Sequence, residues 1–211
     1  MFMRREEAVP AELAPTTFGP LDKYVAANDN MPSRVGDFMQ TFTGRKYWPM
    51  DPRPHEIYIE DIAHSLSLQC RYAGHCIKFY SVAEHSVLIA RHLAATRAPE
   101  VALAGLMHDA PEAYCVDIPR PLKPYLTNYR AIEQDNWLAI AARFQLDREL
   151  PREVHDADNR IIADELVNLR DMPWRAKHDR PLGVKLRYWS PEEAELEFLA
   201  TFDALTAGRV A

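Results

Sequence analysis

Apolar positions recur at helical spacing along six stretches of the chain, 59–70, 81–95, 99–113, 127–145, 151–169 and 190–207, and each predicts a helix. Ser81 and Ser190 stand where N-caps belong, and Pro191 follows the second at the first helical position, where its missing N–H costs nothing. Ahead of these, MQTFTGRKYW (39–48) alternates weakly around Thr43-Gly44 and predicts a short hairpin or an extended segment. Pro49, Pro52 and Pro54 then enforce a turn-rich passage. Residues 1–36 carry Pro10, Pro15, Pro20 and Pro32 among scattered charges without a sustained apolar period, which predicts a flexible or loosely docked arm. The expected architecture is an all-α bundle over 37–211, one domain, with a poorly structured N-terminal arm.

Composition narrows the function. A chain of 211 residues that is 47% hydrophobic with 7 glycines buries a sizeable core in one domain. The 25 basic against 31 acidic residues give a net charge of -6, which argues against a coat of nucleic acid or an anionic membrane. Neither a stable nucleic-acid complex nor a membrane partner is therefore expected, and any phosphate site must be locally basic. MFMRREEAVPAELAP lacks a signal peptide's apolar run, and no later stretch holds about 18 consecutive apolar residues, so a soluble, cytoplasmic protein is expected. Cys70, Cys76 and Cys115 are odd in number and lack CxxC spacing, which suggests small buried residues rather than a disulfide framework or a thiolate zinc site.

Ligand-type side chains interrupt this pattern. At 100° per residue, His85 in SVAEHSVLIARHL falls between the directions of Val82, Leu88 and Ile89 and points inward. His108 in VALAGLMHDAPE shares its side with Val101, Ala104 and Gly105, small residues that admit a second helix or an ion, and Asp109 follows at once. Asp158 lies near the middle of the face formed by Val154, Ile161, Ile162 and Leu169, whereas Asp156 points the opposite way. Burying a carboxylate is expensive unless a cation meets it. Two imidazoles and two carboxylates form a mixed nitrogen and oxygen set that suits one divalent transition metal (Mn, Co, Fe, Ni or Zn) better than Ca or Mg. Spacing alone leaves a second reading open, in which His85 and Asp158 are hydrogen-bonded core residues and His108-Asp109 a solvated helix end. The His-Asp dipeptide by itself decides nothing, since His155-Asp156 and His178-Asp179 repeat it.

The order His85, His108-Asp109, Asp158 resembles the metal site of the HD-domain metal-dependent phosphohydrolases. SLQCRYAGH, FYSVAEHS, AGLMHDAPEAYCVDIPRPLK and the ADNR around Asp158 extend the likeness, over about 60–170, to the branch of 5'-deoxynucleotidases and small phage-type deoxynucleotide phosphohydrolases. The resemblance implies an HD-type helical fold, one divalent transition metal on His85, His108, Asp109 and Asp158, and an enzyme that hydrolyses phosphate esters. It also implies a phosphate contact at Arg71, an aromatic residue of the substrate site at Tyr72, and general acid/base roles for Glu112 and Asp117.

The chemistry is consistent with those positions. A bound divalent ion lowers the pKa of water from 15.7 to about 7, making hydroxide available at neutral pH, and a guanidinium binds phosphate oxygens bidentately. Lys78 and Lys123 add to the local positive field or serve only as solubilising charges; Tyr72 packs on a sugar or base or serves only as a core tyrosine. Glu112, four residues beyond His108, returns to the same side after one helical turn, and Asp117 follows the helix end in CVDIPRP. Their structural readings are a solvated helix face and a turn-forming aspartate.

The expected activity is hydrolysis of small deoxynucleotides, as a 5'-deoxynucleotidase or a deoxynucleoside triphosphate hydrolase, with a small-molecule nucleotide as partner. Hydrolysis of another phosphoanhydride or phosphodiester, such as a guanosine polyphosphate alarmone, stands as an alternative, as does a catalytically silent helical binding module. The resembled enzymes form dimers or higher assemblies, and Ala194, Leu196, Phe198, Leu199 and Phe202 offer a stripe either for a homo-oligomer or for the monomer's own core.

Overall fold

The computed structural model describes residues 33–207, in which seven α-helices and one small hairpin follow in order. Strands β1 (Met39–Gln40) and β2 (Lys46–Tyr47) pair antiparallel, Met39 opposite Tyr47, with Gly44 at positive φ in the turn. The helices are α1 (Ile59–Leu68), α2 (Val82–Ala94), α3 (Pro99–Met107), α4 (Glu112–Cys115), α5 (Tyr129–Phe144), α6 (Arg152–Glu165) and α7 (Pro191–Thr206). The fold is all-α, as the periodicity predicts. The expected arm lies outside the described residues up to 32; Arg34 is already tied to Asp51 and Glu56 and stacks on Trp48.

Local chemistry sets the helix ends. Ser81 accepts from the Glu84 N–H at 3.0 Å, and Ser190 forms a reciprocal capping box with Glu193 ahead of Pro191. Gln145 ends α5 in the left-handed conformation. One predicted helix is corrected: 99–113 is broken after Met107. The chain crosses 108–111 in tight i→i+3 turns, Ala110 N–H to Met107 and Glu112 N–H to Asp109, both at 2.9 Å, before α4 begins. Pro111 has no N–H to continue an α-helical ladder, which fixes the break there.

Helix α2 is the centre of the packing. It contacts α1, α3, α6 and α7, and every residue from Val82 to Ala90 is buried. Gly105 of α3 permits the closest approach: a Cβ there would meet Leu93 Cδ1 at 2.7 Å and Ile89 Cγ2 at 3.2 Å. One apolar cluster joins α1, α2, α3, α5 and α7 through Ile62, Leu66, Val87, Leu106, Ile140 and Phe198; a second joins α2 and α6 through Leu88, Ile89, Val154 and Ile161. The α7 stripe is divided accordingly: Ala194 and Phe198 are core, Leu199 and Phe202 pack against it, and Leu196 is exposed.

A buried carboxylate anchors the segment leading into α7. Glu84 is 0% exposed and accepts from the backbone N–H groups of Arg187 (2.6 Å), Tyr188 (3.0 Å) and Trp189 (2.8 Å). Burial raises its pKa and those three hydrogen bonds oppose the rise. Replacing Glu84 with Ala strands three donors in the interior, so Glu84→Ala is expected to lower unfolding stability by about 3–5 kcal/mol. Glu84→Gln, which keeps one acceptor oxygen, should lose less; urea unfolding of the two variants checks the order.

Candidate functional site

Three segments distant in sequence converge beside α2. His85, one turn into that helix and 0% exposed, is oriented from behind: its Nδ1 lies 2.7 Å from Glu165 Oε1 at the end of α6. A carboxylate on Nδ1 turns Nε2 forward. That atom faces Asp158 Oδ1 at 3.3 Å and Asp109 Oδ2 at 3.6 Å.

The end of α3 delivers the second histidine. His108 Nδ1 donates to the Gly105 carbonyl at 2.8 Å, a bond within its own turn that fixes the ring. Its Nε2 lies 3.3 Å from Asp109 Oδ1 and 3.8 Å from Asp158 Oδ1. The two imidazoles are 5.3 Å apart between centroids. Asp158 arrives from α6 on the face the periodicity assigned, while Asp156 points away to an exposed pair with Arg160.

His85, His108 and Asp109 form a group able to hold a metal ion, their ligand atoms lying within 4.8 Å of one another. The test of fit is the state of the imidazoles. Both Nε2 atoms are buried and have no hydrogen-bond partner, a condition that normally costs about 1–3 kcal/mol per group. The charges demand a cation as well. Burial pulls the His108 pKa down, yet Asp109 and Asp158 overcome it and hold it well above the ordinary value. Burial raises Asp109 and Asp158, yet His108 and His85 draw both carboxyls below the usual range. A divalent ion meets the same demand, and the mixed donor set fits one.

A cleft of about 600 Å³ opens from this group, lined on the near side by His108, Asp109, Glu112 and Asp158. Glu112 reaches it from the start of α4 after the 108–111 turn, not from one continuous helix. Its Oε1 is 3.4 Å from Lys123 Nζ, and its Oε2 is buried without a partner. Burial, then Asp109 and Asp117, hold its carboxyl well above the ordinary range. Asp117 is likewise raised by burial, with Arg71 opposing. Gln69 fixes both positions: its side chain donates to the Glu112 carbonyl at 2.9 Å and accepts from the Asp117 N–H at 3.0 Å.

Arg71 and Tyr72 precede a left-handed turn, Tyr72 itself having φ 57° and Ala73 φ 50°. Arg71 reaches Asp109 Oδ2 at 3.4 Å and Glu165 Oε2 at 3.6 Å, with a buried Nε that has no partner. The Tyr72 hydroxyl donates to Glu165 Oε2 at 2.5 Å. Lys123 joins the site through Glu112 and pairs with Glu133 at 2.9 Å. Lys78 is the one candidate that the described contacts do not bring to the group: its ammonium lies over the Tyr188 ring at 4.8 Å. The expectation that the cysteines are buried is corrected, since all three are half-buried; Cys70 and Cys76 lie against each other at the two ends of the Arg71–Gly74 turn.

Sequence reasoning missed Glu165. Its signal was present: it follows Asp158 by seven residues, two turns along the stripe of Ile161 and Ile162, where a carboxylate has no reason to be apolar filler. It is 0% exposed, and although burial raises its pKa, Arg71, His85 and Tyr72 bring it down to about 2. Arg120, which reaches Asp158 Oδ2 at 3.5 Å, and Arg130, Arg148 and His155, which line the far side of the cleft, left no comparable pattern. Among the described residues no helix is long and apolar enough to cross a membrane.

No family model matches the chain. Over 132 residues it is 41% identical to the uncharacterized protein YfdR of Escherichia coli (strain K12), a match covering 63% of this chain and 72% of that protein. Over 187 residues it is 30% identical to an uncharacterized protein of Rhodobacter capsulatus, covering 80% of this chain and 95% of the other.

Losing the carboxylate behind a ligating histidine typically weakens metal affinity 10- to 100-fold. Glu165→Gln is therefore expected to weaken manganese or cobalt binding by about that factor, measured by titration calorimetry; affinity equal to the parent protein's would remove Glu165 from the site.

Proposed function

The chain belongs to the protein family of YfdR and its Rhodobacter capsulatus relative, and for this member we propose hydrolysis of small deoxynucleotides by an HD-type, metal-dependent phosphohydrolase. The observation that carries this reading is the pair of buried, unpartnered Nε2 atoms of His85 and His108 facing Asp109 and Asp158, with the unpartnered Glu112 Oε2 on the wall of the same cleft. The sequence likeness over about 60–170 supports the choice of reaction.

His85, His108, Asp109 and Asp158 would hold the ion, and their nitrogen and oxygen set suits Mn, Fe, Co, Ni or Zn better than Mg. A divalent ion bound there supplies Lewis acidity and lowers the pKa of water toward neutrality. The remaining work falls to the protein's own groups. Arg71 sits between Asp109 and Glu165, and turning its fork toward a phosphoryl group offsets the charge that develops on the equatorial oxygens. Glu112, whose carboxyl is held well above the ordinary range by burial and by Asp109 and Asp117, presents its unpartnered Oε2 as the general acid/base. Lys123 keeps that side chain in place through Oε1. Asp117, its backbone N–H held by Gln69, is the group to protonate the leaving oxygen.

The cleft's volume of about 600 Å³ lies within the range of small-molecule sites and suits a nucleotide. Trp137 on its wall offers an aromatic surface to a base, and Arg130 and Arg148 offer cations to phosphate.

A panel of deoxynucleoside mono- and triphosphates, assayed with Mn, Co or Mg, tests the reaction. Release of phosphate or triphosphate is expected; no release by metal-loaded protein across the panel contradicts it. Glu112→Gln should retain the metal and lose about 10²- to 10⁴-fold in turnover, whereas Asp109→Ala should lose metal and turnover together.

A further inference from the structure

Two thiols bracket the arginine of the candidate site. Cys70 and Cys76 lie on either side of the Arg71–Gly74 turn, and their Sγ atoms are 3.4 Å apart. Cys76 Sγ also donates to the Arg71 carbonyl at 3.3 Å. Both cysteines are half-buried, so a small reagent has access to them.

The backbone holds this approach in place from both ends. Cys70 pairs with Ser81 in an isolated antiparallel bridge, and the Arg71 N–H donates to the Tyr80 carbonyl at 2.9 Å. Beyond Cys76, the Ile77 N–H donates to the Asn168 carbonyl at 2.8 Å, and the Asn168 side chain closes a reciprocal pair with the Lys78 backbone at 2.9 Å each way. Between these fixed ends Tyr72, Ala73 and Gly74 run through three successive positive φ values, 57°, 50° and 78°. A residue with a Cβ adopts that conformation only where its surroundings impose it. The two sulfurs are thus held at the neck of a short, strained loop.

We propose that Cys70 and Cys76 form a reversible disulfide that closes the neck of the Arg71 loop, with hydrogen peroxide as oxidant. The Cys70 thiolate attacks one peroxide oxygen, the O–O bond breaks, and the sulfenic acid forms with release of one water. Cys76 then attacks the Cys70 sulfur, the S–O bond breaks, and a second water leaves. In sum two thiols give up two protons and two electrons to one hydrogen peroxide, which leaves as two waters. The bond shortens the present 3.4 Å between the sulfurs to about 2.05 Å. Burial pushes the Cys76 thiol up to about 11, so it acts as the second sulfur rather than the first to react. Closure replaces the Cys76 S–H donor to the Arg71 carbonyl with a covalent tie, and so stiffens the backbone that carries Arg71 and Tyr72. This inference concerns thiol chemistry and does not rest on the phosphohydrolase reading.

The test treats the full chain with hydrogen peroxide, alkylates free thiols in denaturant, and maps the peptides by mass. The expected result is the loss of two of the three alkylatable thiols, a linked Cys70–Cys76 peptide lighter by two hydrogens, and full recovery with dithiothreitol. Cys70→Ser should keep two alkylatable thiols, Cys76→Ser should carry an oxygen adduct on Cys70 that no second sulfur resolves, and neither should give a linked peptide. Amide exchange of 71–75 should slow on oxidation in the native chain and in neither variant. Three thiols still alkylated, oxygen adducts on Cys70 or Cys76 of the native chain without a link, a bond between two chains, or unchanged exchange in the oxidised protein would overturn the proposal.

Discussion

A carboxylate buried without exposure must be met by charge or donors, and Glu165 is met by three residues at once. His85 Nδ1, the Tyr72 hydroxyl and the Arg71 guanidinium all converge on it, from α2 and from the turn after α1. That one requirement joins the C-terminal end of α6 to the helix at the centre of the bundle and to the strained turn at the rim. It also decides which way His85 points. With Nδ1 committed to Glu165, Nε2 has only the cluster of Asp109 and Asp158 before it.

The rest of the site is assembled by interruptions in regular structure. Helix α3 stops at Met107, and the tight turns through 108–111 swing His108 and Asp109 off the helix while starting α4 with Glu112 toward the cleft. Had the helix run on, Glu112 would lie one turn above His108, stacked on its face instead of at the head of a new helix. Gln69 then spans the gap between α1 and the segment after α4, and one amide side chain sets the positions of both Glu112 and Asp117. Gly105 serves a structural and a chemical purpose together: its lack of a side chain admits α2, and its carbonyl orients His108.

The helices were legible because each buries one apolar face, and a period of 3.6 survives in the sequence whatever the tertiary arrangement. His85 and Asp158 were legible for the same reason, as polar residues on apolar stripes. Glu165 obeys that rule as well, but only the structure, which ends α6 there, shows the carboxylate turned behind His85. The break after Met107 is written in the sequence as the missing N–H of Pro111, but the apolar run before it and the helix-forming Glu112-Ala113 after it mask its effect. What no local pattern carries is the pairing of distant residues. Glu84 against the backbone of 187–189 and Lys78 against Tyr188 follow from how elements dock. The cleft residues Arg130, Arg148 and His155 are ordinary surface charges until α5, α6 and the loop between them place them on one wall.

Anomalous diffraction from crystals grown with manganese puts the central claim to the most direct trial. One strong peak should lie among His85 Nε2, His108 Nε2 and the carboxylates of Asp109 and Asp158. Crystals holding the ion only at other carboxylates, with the two imidazoles still without a partner, would contradict it.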